Sequence, residues 1–340
     1  MKRLLLRFFL VLMAIVAILA AYLLIPVEIS PAREITWGAT FTKSYAQYLG
    51  LDWQTVYLAM LDDLKVKAVR VGVNWDEIEP RNGQFVFDDY DWMFNEAGKR
   101  GVEILPVVGL KLPRWPECRT PQWANSLSAD DFVQAQLIMM EEAINHFKTY
   151  PNIKKWQMEN EAFIEWFGDC PPMRDSLARA KVKFVRQLDP SRPIVMTESG
   201  ELSTWLKSAF STDILGVSLY RRVWSKWYGH SRYFFPPSFY AHKAKIVGLV
   251  NCLARDFSPG CGKTIITELQ MEAWTSVGIL DEPIDQQLKF MNADILRQNA
   301  AYARRTGFDT IYIWGVEWWW WLKQQGHPEL WEAAKEEFRG

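Results

Sequence analysis

The sequence lacks an excess of charge of one sign. Its 340 residues carry 39 Lys and Arg against 40 Asp and Glu, which leaves a formal net charge of −1. A protein that binds nucleic acid through the phosphates needs clustered positive charge. We therefore expect no nucleic-acid partner.

Histidine and cysteine are scarce, with four residues of each. The histidines are scattered and no CxxC pair is present, so neither residue type supplies the ligand cluster that a zinc site requires. A glycine-rich phosphate-binding sequence is missing as well, both after the first predicted strand and after the seventh and eighth. These absences predict a protein without a metal or another cofactor.

Residues 1 to 30 form a segment that we expect to lie outside the folded domain. Lys2, Arg3 and Arg7 precede an uncharged stretch of 19 residues, Phe8–Pro26. A helix needs about 20 apolar residues to cross the hydrocarbon of a bilayer, and a cleaved signal peptide usually has a shorter apolar region. We favour an uncleaved signal anchor, with a cleaved signal as the alternative.

The basic residues precede the apolar stretch, so the positive-inside rule leaves the N-terminus in the cytoplasm and the remaining chain outside. The four cysteines agree with export. Cys252 and Cys261 flank a short loop, and Cys118 and Cys170 follow neighbouring predicted strands, so two disulfides are expected and four free thiols are the alternative. We expect a domain anchored at the cell surface or in the periplasm, or a secreted one if the signal is cleaved.

From residue 35 onward, short apolar runs alternate with longer amphipathic stretches. Strands that alternate with helices pair in parallel through right-handed crossovers. Eight such units are the content of one (β/α)₈ TIM barrel, which we predict as a single domain over residues 31–340, after a tether of residues 27–34. A doubly wound open sheet is the alternative. The eight runs are Ile35–Phe41, Ala68–Val73, Val102–Val108, Lys155–Met158, Pro193–Thr197, Ile214–Leu219, Thr264–Thr267 and Thr310–Trp314.

Tryptophan is unusually abundant, with 18 residues beside 12 Tyr and 19 Phe. An indole ring can stack on the C–H face of a sugar while its N–H donates a hydrogen bond. A Trp-rich core with an aromatic belt at a membrane accounts for the same composition, but we prefer sugar binding. The aromatic segment Trp224–Phe239 follows the sixth predicted strand and predicts either a flap over a substrate or an interfacial belt.

Two glutamates stand where predicted strands end. The fourth strand ends in WQMENEA, with Asn160 and Glu161 at its exit, and the seventh ends in TIITEL at Glu268. Active sites of such barrels lie at the C-terminal ends of the strands. The offset of 107 positions equals about three βα units, which places the two glutamates across the mouth from each other. Glycoside cleavage uses such a pair, one as acid and one as nucleophile or base.

This pattern resembles that of the clan A glycoside hydrolases, the cellulase-like barrels, over most of residues 35–325. The segment VRVGVNWDEIEP is similar to the clan's arginine-bearing second strand and the turn after it. ITELQ and IYIWGVEWWWW resemble the clan's seventh and eighth strand ends. The resemblance implies retaining hydrolysis of O-glycosidic bonds in an extracytoplasmic oligo- or polysaccharide, with Glu161 as acid/base and Glu268 as nucleophile.

The resemblance also implies which residues bind the substrate. Asn160 would bind the 2-hydroxyl of the sugar, and Arg70 would hold the nucleophile ionised and oriented. Trp314 would form a platform under the sugar, and Tyr220 would lie near the nucleophile. Apart from the resemblance, we select Trp75 as a substrate-binding residue because it follows the second strand, where it would either line the mouth or pack under the loop that carries it.

Several alternatives stay open. Glu272 is the alternative nucleophile, should the seventh strand extend further than predicted. Glu159 shares a side with Glu161 under strict strand alternation but lies deeper, and Glu198 is expected to be structural. The main functional alternative is an inactive membrane-anchored barrel that binds surface carbohydrate. The sugar, its linkage, exo or endo action and the oligomeric state are not predicted.

Overall fold

The computed structural model describes residues 2–339. Met1 and Gly340, at the outer ends of the predicted anchor and domain, lie outside the described residues, as do the side chains of Lys2, Leu4 and Arg339. The strands are β1 (Thr36–Phe41), β2 (Ala68–Gly72), β3 (Glu103–Val108), β4 (Trp156–Met158), β5 (Ile194–Glu198), β6 (Ile214–Leu219), β7 (Arg222–Ser225), β8 (Gly229–Arg232), β9 (Lys263–Gln270) and β10 (Thr310–Trp314).

Eight of these strands close into a parallel barrel, which confirms the predicted fold. Their order around the barrel is β1-β10-β9-β6-β5-β4-β3-β2, whereas β7 and β8 form a separate antiparallel hairpin. The seventh and eighth barrel strands are therefore β9 and β10. All eight predicted runs are barrel strands, and only β9 differs by more than one residue at an end. It continues through Glu268 to Gln270, where both polar side chains accept hydrogen bonds, from Arg70 and from the amide of Arg221.

Helices cover the outside of the barrel, and two of them begin with a clear capping residue. The Ser128 hydroxyl accepts a hydrogen bond from the Asp131 amide at 3.2 Å, and the Asn292 side chain accepts one from the Ile295 amide at 3.1 Å. The helices are α1 (Lys2–Leu24), α2 (Lys43–Tyr48), α3 (Trp53–Ala59), α4 (Trp75–Ile78), α5 (Asp88–Lys99), α6 (Ala129–Phe147), α7 (Asp175–Leu188), α8 (Leu206–Ala209), α9 (Pro237–Ala254), α10 (Ile284–Phe290), α11 (Ala293–Arg304), α12 (Val316–Gln324) and α13 (Glu329–Arg339).

The core has two layers. The larger one lies between the strands and the surrounding helices. A smaller apolar cluster fills the barrel interior, where Tyr312 is accommodated because a Cβ on Gly38 would lie only 2.7 Å from its ring. Inward-facing positions alternate along a strand, so Arg70, Thr197 and Ser218 lie above this cluster, toward the C-terminal ends. The cluster consists of Ala68, Leu105, Val195, Ile214, Ile265 and Tyr312.

Both predicted disulfides are present. Cys118 and Cys170, with Cα atoms 5.2 Å apart, join the loop after β3 to the loop after β4. Cys252 and Cys261, with Cα atoms 4.9 Å apart, close the loop at the end of α9. The first disulfide therefore ties together two loops at the mouth of the barrel.

Helix α1 is long and apolar enough to cross a bilayer between Leu5 and Leu24, a property that signal sequences share. Its last turn contacts α9, where the ring of Tyr22 stacks on His242 with centroids 4.2 Å apart. The tether follows the barrel wall, since the Val27 amide donates to Ser238 Oγ at 3.2 Å. The end of α1 is thus attached to the domain.

Candidate active site

A bulge in β9 precedes the predicted nucleophile. Val217 of β6 pairs with Ile266, but the next residue, Ser218, pairs with Glu268, so Thr267 is an extra residue in β9. A bulge changes the direction of the side chains that follow it. The carboxylate of Glu268 faces the barrel interior, where donors from β2 and from the residue that follows β6 reach it.

Arg70 connects the strands below the mouth. Its guanidinium is fully buried and donates to Gln157 Oε1 at 2.7 Å, to Glu268 Oε1 at 2.8 Å and to Asn160 Oδ1 at 2.7 Å. Tyr220 donates its hydroxyl to the second oxygen of Glu268 at 3.1 Å. Both oxygens of this carboxylate are therefore oriented, one by a cation and one by a phenol.

Glu161 follows β4 in an unusual backbone conformation. Its φ is +44° and that of Glu159 is +54°, so both residues are in the left-handed region and strict side-chain alternation fails here. The Glu161 amide donates to Thr197 Oγ1 at 2.8 Å. Ser218 donates its hydroxyl to Glu161 Oε1 at 3.0 Å.

The surroundings of Glu161 favour its protonated form. Burial raises the pKa of Glu161 to about 8, and the negative charges of Glu268 and Glu117 raise it as well, whereas the Ser218 hydrogen bond lowers it. A carboxyl group with a raised pKa keeps its proton near neutral pH and can donate it. Glu268, in contrast, has an arginine against one oxygen. Of the two carboxyls predicted to be catalytic, Glu161 thus lies beside negative charges and Glu268 beside a positive charge.

Asn160 is buried and uses both ends of its amide. Its Oδ1 accepts from Arg70, and its Nδ2 donates to Glu117 Oε1 at 2.9 Å. The predicted contact with a sugar 2-hydroxyl would have to share or replace one of these hydrogen bonds. Asn160 therefore links the Arg70–Glu268 pair to a third carboxyl at the mouth.

That third carboxyl, Glu117, was not selected from the sequence. It lies nine residues beyond β3, next to Cys118, with a φ of +68°. Its Oε2 lies 3.3 Å from Lys111 Nζ. Burial raises the pKa of Glu117 to about 7, the Lys111 ammonium lowers it and Glu268 raises it. The neighbouring cysteine was the only sequence signal that this loop is held in place.

Other residues at the mouth were also missed. Gln157, Thr197 and Ser218 are polar residues within largely apolar strands. Each points into the barrel and binds a residue of the site. A polar residue at an inward position near the end of a barrel strand was the available signal.

Trp314 lies at the end of β10 and is partly exposed, as the predicted platform requires. The guanidinium carbon of Arg114 lies 4.0 Å from the centroid of its indole ring and 3.6 Å from that of Tyr45. One face of the indole is therefore covered by a cation. The predicted stacking of a sugar requires the opposite face.

Glu272 belongs to this Arg114 cluster. Its two oxygens accept from Arg114 Nη1 at 2.8 Å and Nη2 at 3.0 Å, and Tyr45 donates its hydroxyl at 2.7 Å. Glu272 lies two residues beyond the end of β9. The alternative nucleophile is thus bound by different partners from those of Glu268.

Two further glutamates face away from the mouth. Glu159 accepts from Lys181 Nζ at 2.5 Å and from the amides of Leu110 and Lys111. Glu198 accepts from the amide and the hydroxyl of Ser208. Both carboxylates hold the barrel wall together.

Trp75 packs under its loop and does not line the mouth. It is the first residue of the short helix α4 and is 1% exposed. Its indole N–H donates to Glu79 Oε2 at 2.7 Å, and its ring contacts Trp123 and Phe132. Because β2 ends at Gly72, the turn into α4 directs this side chain toward α6. The predicted role of Trp75 in substrate binding is therefore wrong.

The similarity of the chain to known proteins is one of structure. No family model matches the chain. The exo-β-1,4-mannosidase Op5Man5 from Opitutaceae bacterium strain TAV5 superposes with a TM-score of 0.52 at 15% identity, over 84% of this chain and 53% of that one. The chain therefore spans about half of the length of this mannosidase.

Two other solved structures are similar over a larger part of their own length. GH5_18 from Bifidobacterium longum subsp. longum ATCC 55813 superposes with a TM-score of 0.57 at 14% identity, over 83% of this chain and 69% of that one. A glycosylated endo-β-1,4-xylanase of family GH10 from Gloeophyllum trabeum gives 0.55 at 14%, over 91% and 98%. At such identities the likeness is one of fold. The resemblance to clan A barrels is thus confirmed for the (β/α)₈ architecture.

Proposed function

We propose that the chain is a retaining glycoside hydrolase that cleaves O-glycosidic bonds of an oligo- or polysaccharide. The observation that carries the proposal is the opposed environment of two glutamates at the ends of β4 and β9. Glu161 is partly buried beside the negative charges of Glu268 and Glu117, and Glu268 is held by Arg70 and Tyr220. A protonated acid and an oriented carboxylate are the two groups that double displacement requires.

In the first step, Glu268 attacks the anomeric carbon while Glu161 gives its proton to the glycosidic oxygen. The leaving sugar departs as an alcohol, and an ester between Glu268 and the remaining sugar forms. In the second step, Glu161 takes a proton from water, the water oxygen attacks the anomeric carbon, and Glu268 is released. Two inversions at one carbon retain its configuration. Arg70 and Tyr220 keep the nucleophile in line throughout.

The substrate is bound outside the membrane. Asn160, Tyr220 and the open face of Trp314 contact the sugar at the mouth of the barrel. Helix α1 anchors the domain, and the two disulfides fit an oxidising compartment such as the cell surface or the periplasm. The names of two similar structures, a β-1,4-mannosidase and a β-1,4-xylanase, make β-1,4-linked oligosaccharides the first substrates to test.

The proposal is tested by a panel of aryl glycosides and β-1,4-oligosaccharides with the variants Glu161→Ala and Glu268→Ala. Removal of the general acid should lower kcat on an unactivated saccharide by roughly 10²–10⁴-fold, and removal of the nucleophile should abolish turnover. Azide should restore activity on an aryl glycoside in both variants, with opposite anomeric configurations of the glycosyl azide.

The matched control is Glu165→Ala, which removes an exposed glutamate from the same loop as Glu161. It should keep wild-type activity. Full activity in Glu161→Ala or Glu268→Ala would overturn the proposal. Binding of an oligosaccharide by a wild-type protein that turns over no member of the panel would favour the second candidate, a barrel that only binds carbohydrate.

A further inference from the structure

One stretch of the chain contains no acidic residue. From Ile214 to Arg255 there is no Asp or Glu, although the chain as a whole has 40 of them. The stretch covers β6, the β7–β8 hairpin and α9. In a chain of net charge −1 it is a local excess of positive charge. Its seven basic residues are Arg221, Arg222, Lys226, Arg232, Lys243, Lys245 and Arg255.

The hairpin and the segment after it expose aromatic rings. Trp227 is 78% exposed, Tyr228 85% and Phe234 78%, and the basic side chains of Lys226 and Arg232 are exposed beside them. Large apolar rings grouped in this way are unfavourable in water and mark a contact surface. Trp and Tyr, flanked by Lys and Arg, are the residues typical of a bilayer–water interface.

The positive charges of the hairpin lie close enough to affect one another. Burial lowers the pKa of Arg221, the guanidinium groups of Arg232 and, more weakly, Arg222 lower it further, and Tyr302 and Tyr240 raise it. Lys226 Nζ lies 5.2 Å from the ring centroid of Trp227. A surface with this unbalanced charge attracts anions, and anionic lipid headgroups are anions presented in a plane.

The hairpin is close to the end of the apolar helix. Only residues 233–236 separate β8 from α9. The first two turns of α9 contact the end of α1 through the stacked rings of Tyr22 and His242, and contact the tether through the hydrogen bond from Val27 to Ser238. A bilayer crossed by α1 therefore has its surface near the hairpin.

We propose that the β7–β8 hairpin lies on the bilayer surface and binds anionic lipid headgroups. Lys226 and Arg232 contact the headgroups, and Trp227 and Tyr228 lie at headgroup level. The proposal rests on the part of the proposed function that retains α1 as an anchor, and it is independent of the cleavage chemistry.

A hairpin bound in this way brings the mouth of the barrel to the membrane. The Gln270 side chain accepts hydrogen bonds from the amides of Arg221 and Arg222 at 3.0 and 2.9 Å, and donates one to the Arg222 carbonyl. Gln270 lies in β9, two residues after Glu268. The position of the hairpin on the bilayer would therefore fix the distance between the candidate active site and the lipid surface.

The test uses the full chain in nanodiscs, with an environment-sensitive fluorophore on the variant Tyr228→Cys. The discs contain phosphatidylcholine alone or mixed with phosphatidylglycerol. The emission should shift to the blue, and brominated lipids should quench it, only in the mixture. Replacement of Lys226 or Arg232 by Gln should lower the equilibrium constant for binding of the hairpin to the bilayer surface by about fivefold for each charge removed. Added salt should weaken this binding as well.

The control fluorophore is placed on Asn82→Cys, an exposed position in the loop after β2, on the far side of the barrel. Its emission should be water-like in both kinds of disc. The proposal is overturned by water-like emission at position 228 in both compositions, or by equal insertion into neutral and anionic bilayers. A response to oligosaccharide without a response to lipid would make the hairpin a substrate flap. Turnover of an aryl glycoside in the same discs reports separately on the proposed chemistry.

Discussion

At the scale of residues, the proton on Glu161 is controlled by neighbours with opposite effects. Burial raises its pKa most, Glu268 and Glu117 raise it further through their negative charge, and the Ser218 hydroxyl lowers it by donating a hydrogen bond to the ionised form. Glu161 must be protonated to act as an acid, so activity should fall as the pH rises through its pKa. The pH at which activity falls on the alkaline side, the alkaline limb of the pH profile, thus depends on these neighbours.

We predict that two substitutions move this limb in opposite directions. Ser218→Ala removes a donor that stabilises the carboxylate, so the pKa of Glu161 should rise and the limb of kcat/KM should move to higher pH. Glu117→Gln removes a negative charge, so the limb should move to lower pH. The measurement is kcat/KM against pH for an aryl glycoside. Shifts in the same direction in both variants would show that Glu161 is not the titrating acid.

Arg70 should be important for stability as well as for activity. Arg70→Met leaves the buried carboxylate of Glu268 without its cation, which typically costs about 3–5 kcal/mol of the free energy of unfolding. Arg297→Met, which breaks an exposed ion pair with Glu336, should change it by less than about 1 kcal/mol. Urea denaturation measures both. A similar small loss in the two variants would contradict the role given to Arg70.

At the scale of elements, two features that the strand pattern cannot predict orient the candidate catalytic pair. The extra residue in β9 directs Glu268 inward, and the left-handed backbone at Glu159 and Glu161 sends their side chains in different directions. The short apolar runs located the strands, because a strand covered on both faces is apolar along its length. It did not reveal Glu117, whose position depends on a loop and a disulfide rather than on a period.

The two disulfides should differ in their contribution to stability. Cys118–Cys170 spans 52 residues of chain and Cys252–Cys261 spans nine, so loop-closure entropy predicts about 4 kcal/mol for the first and ~2.6 kcal/mol for the second. Replacement of each pair by serines, followed by denaturation, tests this order. The first replacement should also lower kcat/KM, because it frees the loop that carries Glu117. A larger loss of stability from the second replacement would contradict the prediction.

At the scale of the whole molecule, the barrel was predictable because eight apolar runs of the right length occur at regular intervals. Its mouth was predictable in part: Glu161, Glu268, Asn160, Arg70 and Tyr220 are brought together, whereas Trp75 is not. Trp75 follows its strand too closely for the sequence to show which way the turn into α4 leads. The cation on Trp314 comes from a loop on the opposite wall, and such contacts are set by tertiary packing.

The chain as a whole combines an apolar helix, a barrel with a carboxylate pair at its mouth and a basic aromatic hairpin between them. The contacts of α1 with α9 and of the hairpin with β9 connect these parts through the described residues. The arrangement accounts for an enzyme that works on glycans next to a membrane, as proposed above.

The assignment of Glu268 as nucleophile is tested most directly by trapping the covalent intermediate. The wild-type chain is treated with 2-deoxy-2-fluoro aryl glycosides of the sugars that it turns over, digested and mapped by mass spectrometry. The fluorine slows both steps. The reactive aryl leaving group speeds up only the first step, so the ester forms faster than it is hydrolysed and accumulates. We predict a single sugar ester on Glu268. An ester on Glu272, or on any other carboxyl, would contradict the assignment.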